Sequence, residues 1–143
     1  MDIKNKMKLT ILSCSENETF ARSVVSCFAL NLNPSVSEIA DIKTAVSEAV
    51  TNSIVHGYPD RVGNITIECF IDNNTIHINI SDEGVGINNL SQALEPFYTS
   101  RPEQERSGMG FTIMQSFMDS VKVESESGKG TKIYMNKRIK SSS

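Results

Sequence analysis

Glu48 and Asn52 stand four residues apart in Val46-Ser47-Glu48-Ala49-Val50-Thr51-Asn52, a spacing that projects both from one helix face beside an apolar stripe. A carboxylate at the edge of a core is a candidate general base. An amide oxygen is a hard ligand suited to Mg2+, which keeps several waters and takes few protein ligands. Asp82-Glu83-Gly84-Val85-Gly86 follows an alternating apolar run. An acid at a strand end accepts from a donor such as the exocyclic amine of adenine, while Gly84 and Gly86 let backbone approach a ligand closely. Ser107-Gly108-Met109-Gly110-Phe111 opens another apolar run. Free amides and the positive dipole end at a helix start form a phosphate site that needs no lysine. Taken singly, each feature has a plainer reading: a helix-surface pair, a turn leaving a strand, a flexible glycine before a helix.

Other groups do not extend this set. Gly128-Lys129-Gly130-Thr131 lacks both the Lys-Ser/Thr dipeptide and the upstream glycine of a phosphate loop, and neither glycine pair grows into G-x-G-x-x-G. His56 ends a helical run, where its place at the dipole explains it, and His77 alternates with core isoleucines and is expected to be exposed. Cys14, Cys27 and Cys69 are odd in number and widely spaced, so they suit a reducing compartment and make neither a disulfide framework nor a zinc pair.

The elements that must position these residues follow from periodicity. Residues 7–12 predict a strand. Ser15 and Glu18, then Ser35 and Glu38, have capping-box spacing ahead of two amphipathic helices, the second running to the stop signals His56-Gly57 and Pro59. Ile65, Ile67, Cys69 and Ile71, then Ile76, Ile78 and Ile80, alternate on either side of Asp72-Asn73-Asn74 and predict a hairpin with one buried face. Residues 83–108 read largely as loop, and Phe111, Ile113, Met114, Phe117 and Met118 as a helix. Val121 and Val123, then Thr131, Ile133 and Met135, close the chain as a second hairpin. The expectation is an α+β two-layer sandwich: a mixed, mostly antiparallel sheet with helices on one face.

With 143 residues, 38% of them hydrophobic, the chain suits one domain spanning 1–143. No run approaches the roughly 20 apolar residues of a membrane span, so a cytoplasmic protein without membrane contact is expected. A net charge of −3 argues against direct nucleic-acid binding, and the basic Lys137, Arg138 and Lys140 read as a solvated end.

In this order, Glu48-x-x-x-Asn52, Asp82-x-Gly84-x-Gly86 and Gly108-x-Gly110 resemble the N, G1 and G2 boxes of the ATPase superfamily shared by gyrase, Hsp90, histidine kinases and MutL. The resemblance implies that Asp82 reads adenine, Asn52 holds Mg2+, and Gly108 and Gly110 cradle phosphates under a lid at residues 94–107. Glu95-Pro-Phe-Tyr-Thr-Ser100 is similar to the F box of histidine kinases. With about 45 residues ahead of the N box, however, no dimerisation hairpin carrying a phospho-accepting His is expected. Within the superfamily the chain is similar to the anti-sigma F factors of spore-forming bacteria. The matching stretches are Ser15-Glu-Asn-Glu-x-Phe-Ala-Arg22, Val46-Ser-Glu-Ala-Val-Thr-Asn52 and Glu105-Arg-Ser-Gly-Met-Gly-Phe-Thr-Ile-Met114.

That family resemblance implies a homodimer that sequesters sigma factor F with ATP bound. It also implies Mg-ATP-dependent phosphorylation of a serine of an anti-anti-sigma partner, with ATP and ADP favouring different states. Glu48 would be the base at the serine hydroxyl, and Arg22, with Glu18, would contact both partners. Gly84, Gly86, Thr99, Arg106, Ser107, Met109 and Thr131 would join Asn52, Asp82, Gly108 and Gly110 around the nucleotide. Arg101 and Arg106 would face the γ-phosphate. Two alternatives stay open: a stress-response relative acting on another sigma factor, and a nucleotide-dependent binding module that transfers no phosphate.

Overall fold

The computed structural model describes residues 2–87 and 110–140. Its elements run β1 (Ile3–Leu12), α1 (Glu16–Ala29), a 3-10 turn (Leu30–Leu32), α2 (Val36–Asn52), a π turn (Ser53–Gly57), β2 (Asn64–Asp72), β3 (Thr75–Asp82), α3 (Gly110–Phe117), β4 (Ser120–Glu126) and β5 (Gly130–Arg138). The strands form one five-stranded sheet in the order β1-β2-β3-β5-β4. Every pairing among the described residues is antiparallel, in line with the α+β, mostly antiparallel sheet expected. The crossover from β3 returns β4 in the same sense, but the final hairpin inserts β5 between the two, so parallel strands never become neighbours.

Alternation decides the two faces. Ile65, Ile67, Cys69 and Ile71 on β2, Ile76, Ile78 and Ile80 on β3, and Ile133 and Met135 on β5 are buried with Val25, Ile42, Val46, Ala49, Val50 and Met114 of the helices. Burying a side chain of this size contributes about 1.5–3 kcal/mol. The second helix packs against both α1 and α3 and is the central element of the helical layer. On the opposite face, Lys6, Phe70, His77 and Asn136 form one cross-strand row. His77 is half-buried there because its ring stacks on Phe70, with centroids 4.4 Å apart and planes 6° from parallel.

The two expected capping boxes part ways. Ser35 is extended (φ −69°, ψ 165°), accepts from the Glu38 amide at 3.0 Å, and its own amide donates to Glu38 Oε1 at 2.9 Å. Ser15 is itself helical (φ −59°, ψ −32°), so its hydroxyl cannot reach back to a first-turn amide; it donates to Glu16 at 3.3 Å instead. Asn17 ties this helix start to β1 through Leu12 O at 2.9 Å.

The first strand is longer than its own pattern predicts, because Ile3, Asn5 and Lys6 pair with Asp72, Ile71 and Phe70 on the edge that β2 offers. The basic end is docked and not simply solvated. Lys137 lies 3.4 Å from Asp41 and donates to Phe117 O at 2.8 Å, the Lys140 amide donates to Glu38 Oε2 at 2.8 Å, and Ile139 is buried.

Candidate functional site

The last residue of β3 continues the register of Ile76, Ile78 and Ile80 and so enters the covered face: Asp82 is only 6% exposed. Ser53 Oγ donates to its Oδ2 at 2.7 Å, the Gly84 amide donates to Oδ1 at 2.9 Å, and the Thr131 amide adds a third bond. Burial pushes the Asp82 carboxyl above its ordinary value, and these three donors oppose the shift. An ionised carboxylate has about four acceptor positions, so three donors leave room for one more, as an amine-bearing ligand requires.

Ser53 immediately follows Asn52, where α2 gives way to the π turn. Such wide turns recur at functional sites because they re-aim side chains that a regular helix would point elsewhere. The Ser53–Asp82 hydrogen bond thereby ties the end of α2, which carries Asn52, to the end of β3. Glu48 lies one turn earlier on α2, and both Glu48 and Asn52 are half-buried at the rim of the helical layer.

The backbone after Asp82 is held at four points. Glu83 N donates to Tyr58 Oη (2.7 Å), Val85 N to Gly57 O (2.8 Å), Gly128 N to Val85 O (2.7 Å) and Ile87 N to Ser125 Oγ (2.8 Å). Tyr58 is buried and its hydroxyl donates a hydrogen bond to Asn64 O at 2.6 Å, while Arg61 caps its ring at 4.9 Å and donates to Glu83 O at 3.2 Å.

Gly84 and Gly86 also serve the packing of the protein on itself. A Cβ on Gly84 would lie 2.0 Å from Gly57 O, and one on Gly86, which has φ +76°, would lie 2.1 Å from Glu126 O. The close approach they allow is to neighbouring protein backbone, which brings the π turn, the Asp82 loop and the β4–β5 hairpin together. Thr131 belongs to the same place: it pairs with Asp82 across β3–β5 and with Ser125 across β4–β5.

Gly110 opens α3, which packs on α2. Thr99, Arg101, Arg106, Ser107, Gly108 and Met109, with the rest of the expected lid, lie outside the described residues. Glu18 and Arg22 form a separate pair on α1: Arg22 Nε is 3.7 Å from Glu18 Oε2, and Arg22 Nη1 reaches Ser47 Oγ at 3.5 Å. Ser47 directly precedes Glu48, so this surface abuts the helix that bears the candidate base. Ser53, Tyr58 and Ser125 carry no local signal of a place in the site, and Gly57 reads in the sequence only as part of a helix stop.

The set fits a nucleotide with Mg2+: a buried carboxylate at Asp82 oriented by Ser53, an amide oxygen at the adjacent Asn52, and a helix start at Gly110. Among the described residues no three His, Cys, Asp or Glu side chains converge as a metal cluster, and no helix is long and apolar enough to cross a membrane.

Residues 14–137 match the family model described as histidine kinase-like ATPase domain. The anti-sigma F factor of Clostridium acetobutylicum is 57% identical over 137 residues, covering 96% of each chain. That of Thermoanaerobacter sp. strain X514 is 56% identical over 139 residues, covering 97% of each. Among solved structures, the RsbU and RsbW domains of a Mycobacterium tuberculosis protein superpose with a TM-score of 0.68 at 16% identity. That match covers 95% of this chain and 33% of the other, a likeness of fold.

Proposed function

The chain belongs to the histidine kinase-like ATPase family, in its anti-sigma F factor group, and from that membership we propose that it binds and inhibits sigma factor F and phosphorylates a serine of its anti-anti-sigma antagonist with Mg-ATP. The observation that carries the nucleotide part is the Ser53–Asp82 hydrogen bond at 2.7 Å, which joins the end of α2 to the end of β3. Asp82 accepts from the exocyclic amine of the base. Asn52 would hold Mg2+, which would supply positive charge against the phosphates. Gly110 would bind the phosphates, with Ser107, Gly108, Met109, Thr99 and Arg106 as its proposed partners in that role.

Glu48 accepts the proton of the incoming serine hydroxyl, a role suited to a carboxylate half-buried one turn from the Mg2+ ligand. Glu18 and Arg22 form the face for both protein partners. That face touches α2 through Ser47, so nucleotide state and partner state share one rigid element, and sigma-factor affinity is higher with ATP than with ADP. The protein acts as a homodimer in the cytoplasm, as a single domain over residues 1–143.

The test incubates the wild-type chain and Glu48→Gln with Mg-ATP and an anti-anti-sigma protein, following phosphate on serine and, separately, nucleotide binding. Transfer lost in the variant with binding kept is the expected result. A wild type that binds ATP and transfers nothing sinks the kinase reading and leaves sequestration standing.

A further inference from the structure

Asp82, Thr131 and Ser125 stand side by side on β3, β5 and β4, all three on the helix-covered face, as one polar row at the end of an otherwise apolar surface. Resting on the nucleotide reading above, we propose that Ser125 sets the hydrogen-bond polarity of Thr131 and thereby makes the base end of the site reject purines with a 6-keto oxygen.

The argument is a count of protons. Ser125 has one hydroxyl hydrogen. Its oxygen already accepts from Ile87 N at 2.8 Å, and Gly130 O, a pure acceptor 3.0 Å away, takes the hydrogen. The 2.8 Å contact between Ser125 Oγ and Thr131 Oγ1 must then be donated by Thr131. With its own hydrogen committed to Ser125, Thr131 offers only lone pairs in other directions. Its neighbour Asp82 also offers only lone pairs. The row therefore presents acceptors alone to whatever lies against it: an exocyclic 6-amine is matched, and a 6-keto oxygen meets acceptor against acceptor.

Replacing Ser125 removes the partner that captures the Thr131 hydrogen. The threonine hydroxyl can then turn and donate to a keto oxygen, so discrimination weakens while the Asp82 contribution persists. Ser125 is a positioning residue in this account, since it acts through Thr131 and not on the base.

The experiment measures ADP and IDP dissociation constants calorimetrically for the wild type, Ser125→Ala, Ser125→Thr, Thr131→Val and the Ser125→Ala/Thr131→Val double variant. Expected is a fall of roughly three- to tenfold in the ADP-over-IDP preference of Ser125→Ala, the range of one neutral hydrogen bond. The hydroxyl of Ser125→Thr should restore the preference, and Ser125→Ala should have no further effect once Thr131 is valine. Should Ser125→Ala not fold, Ser125→Cys, a weak donor and acceptor, reads the same ratio. An unchanged preference in folded Ser125→Ala, or in Ser125→Cys where the alanine variant does not fold, with wild type binding ADP, overturns the proposal, as does an equal change in the valine background. A wild type that binds neither nucleotide overturns the nucleotide reading, and this proposal with it.

Discussion

Asp82 faces two opposing demands. Burial raises its carboxyl pKa above the ordinary 3.8, and Ser53, Gly84 and Thr131 only partly offset this. Between the unfolded and folded values the native state binds more protons than the unfolded chain, so stability falls as pH rises through that window, and the cost stands in full above it. Asp82→Asn is therefore expected to melt no lower than wild type at pH 7. Because hydrogen bonds to a charged group contribute about 1.5–3 kcal/mol, it should also lose roughly ten- to 150-fold in ADP affinity. Melting followed by circular dichroism, alongside calorimetric titration, checks both halves. Arg22 is the contrasting case. It is 41% exposed and its ion pair with Glu18 is 3.7 Å long, so Arg22→Ala should change stability by less than about 0.5–1 kcal/mol. Its expected effect is on binding of the protein partners, with ADP affinity unaltered, and a loss of ADP affinity equal to the loss of partner binding would contradict the separation of the two surfaces.

The helix starts and the glycine crossings carry distinct expectations at the level of elements. Ser35→Ala removes one bond of a formed capping box and should cost about 1 kcal/mol in urea denaturation. Ser15→Ala removes no cap bond and should be within about 0.5 kcal/mol of wild type. The sequence offers the same spacing at both places, and backbone conformation at the cap residue separates them. Gly84→Ala drives a methyl to 2.0 Å from a backbone carbonyl, so it must separate the π turn from the Asp82 loop. Gly128→Ala meets nothing within 4 Å and bears only the strain of φ +81°. The first is expected to cost about 1–3 kcal/mol or more and to weaken nucleotide binding. The second should cost about 1 kcal/mol or less and leave binding in place.

For the molecule as a whole, the covered face of the sheet and the helices above it protect what they enclose. Burial pushes the Cys69 thiol up to about 12, whereas Cys27 is exposed on α1. A thiol reagent at neutral pH should label Cys27 readily and reach Cys69 only under unfolding conditions; rapid labelling of Cys69 in the native protein would mean that the sheet and helices separate easily. Periodicity alone determined much of this architecture. The alternation of Ile65 to Ile71 and Ile76 to Ile80, and the stripe from Ile39 to Val50, are local patterns, and each names its own element and buried face. The spacing of Glu48 and Asn52 and the position of Asp82 at a strand end were legible for the same reason. Only the tertiary structure decided that Ser53 holds Asp82, that β5 lies between β3 and β4, and that Gly57 and Gly84 touch. It also decided that Ser125 faces Thr131 and that His77 is covered by Phe70. Each of these contacts joins residues from different elements, and no repeat of 2 or 3.6 residues encodes which element lies beside which; that is set when several apolar faces are buried together in one arrangement.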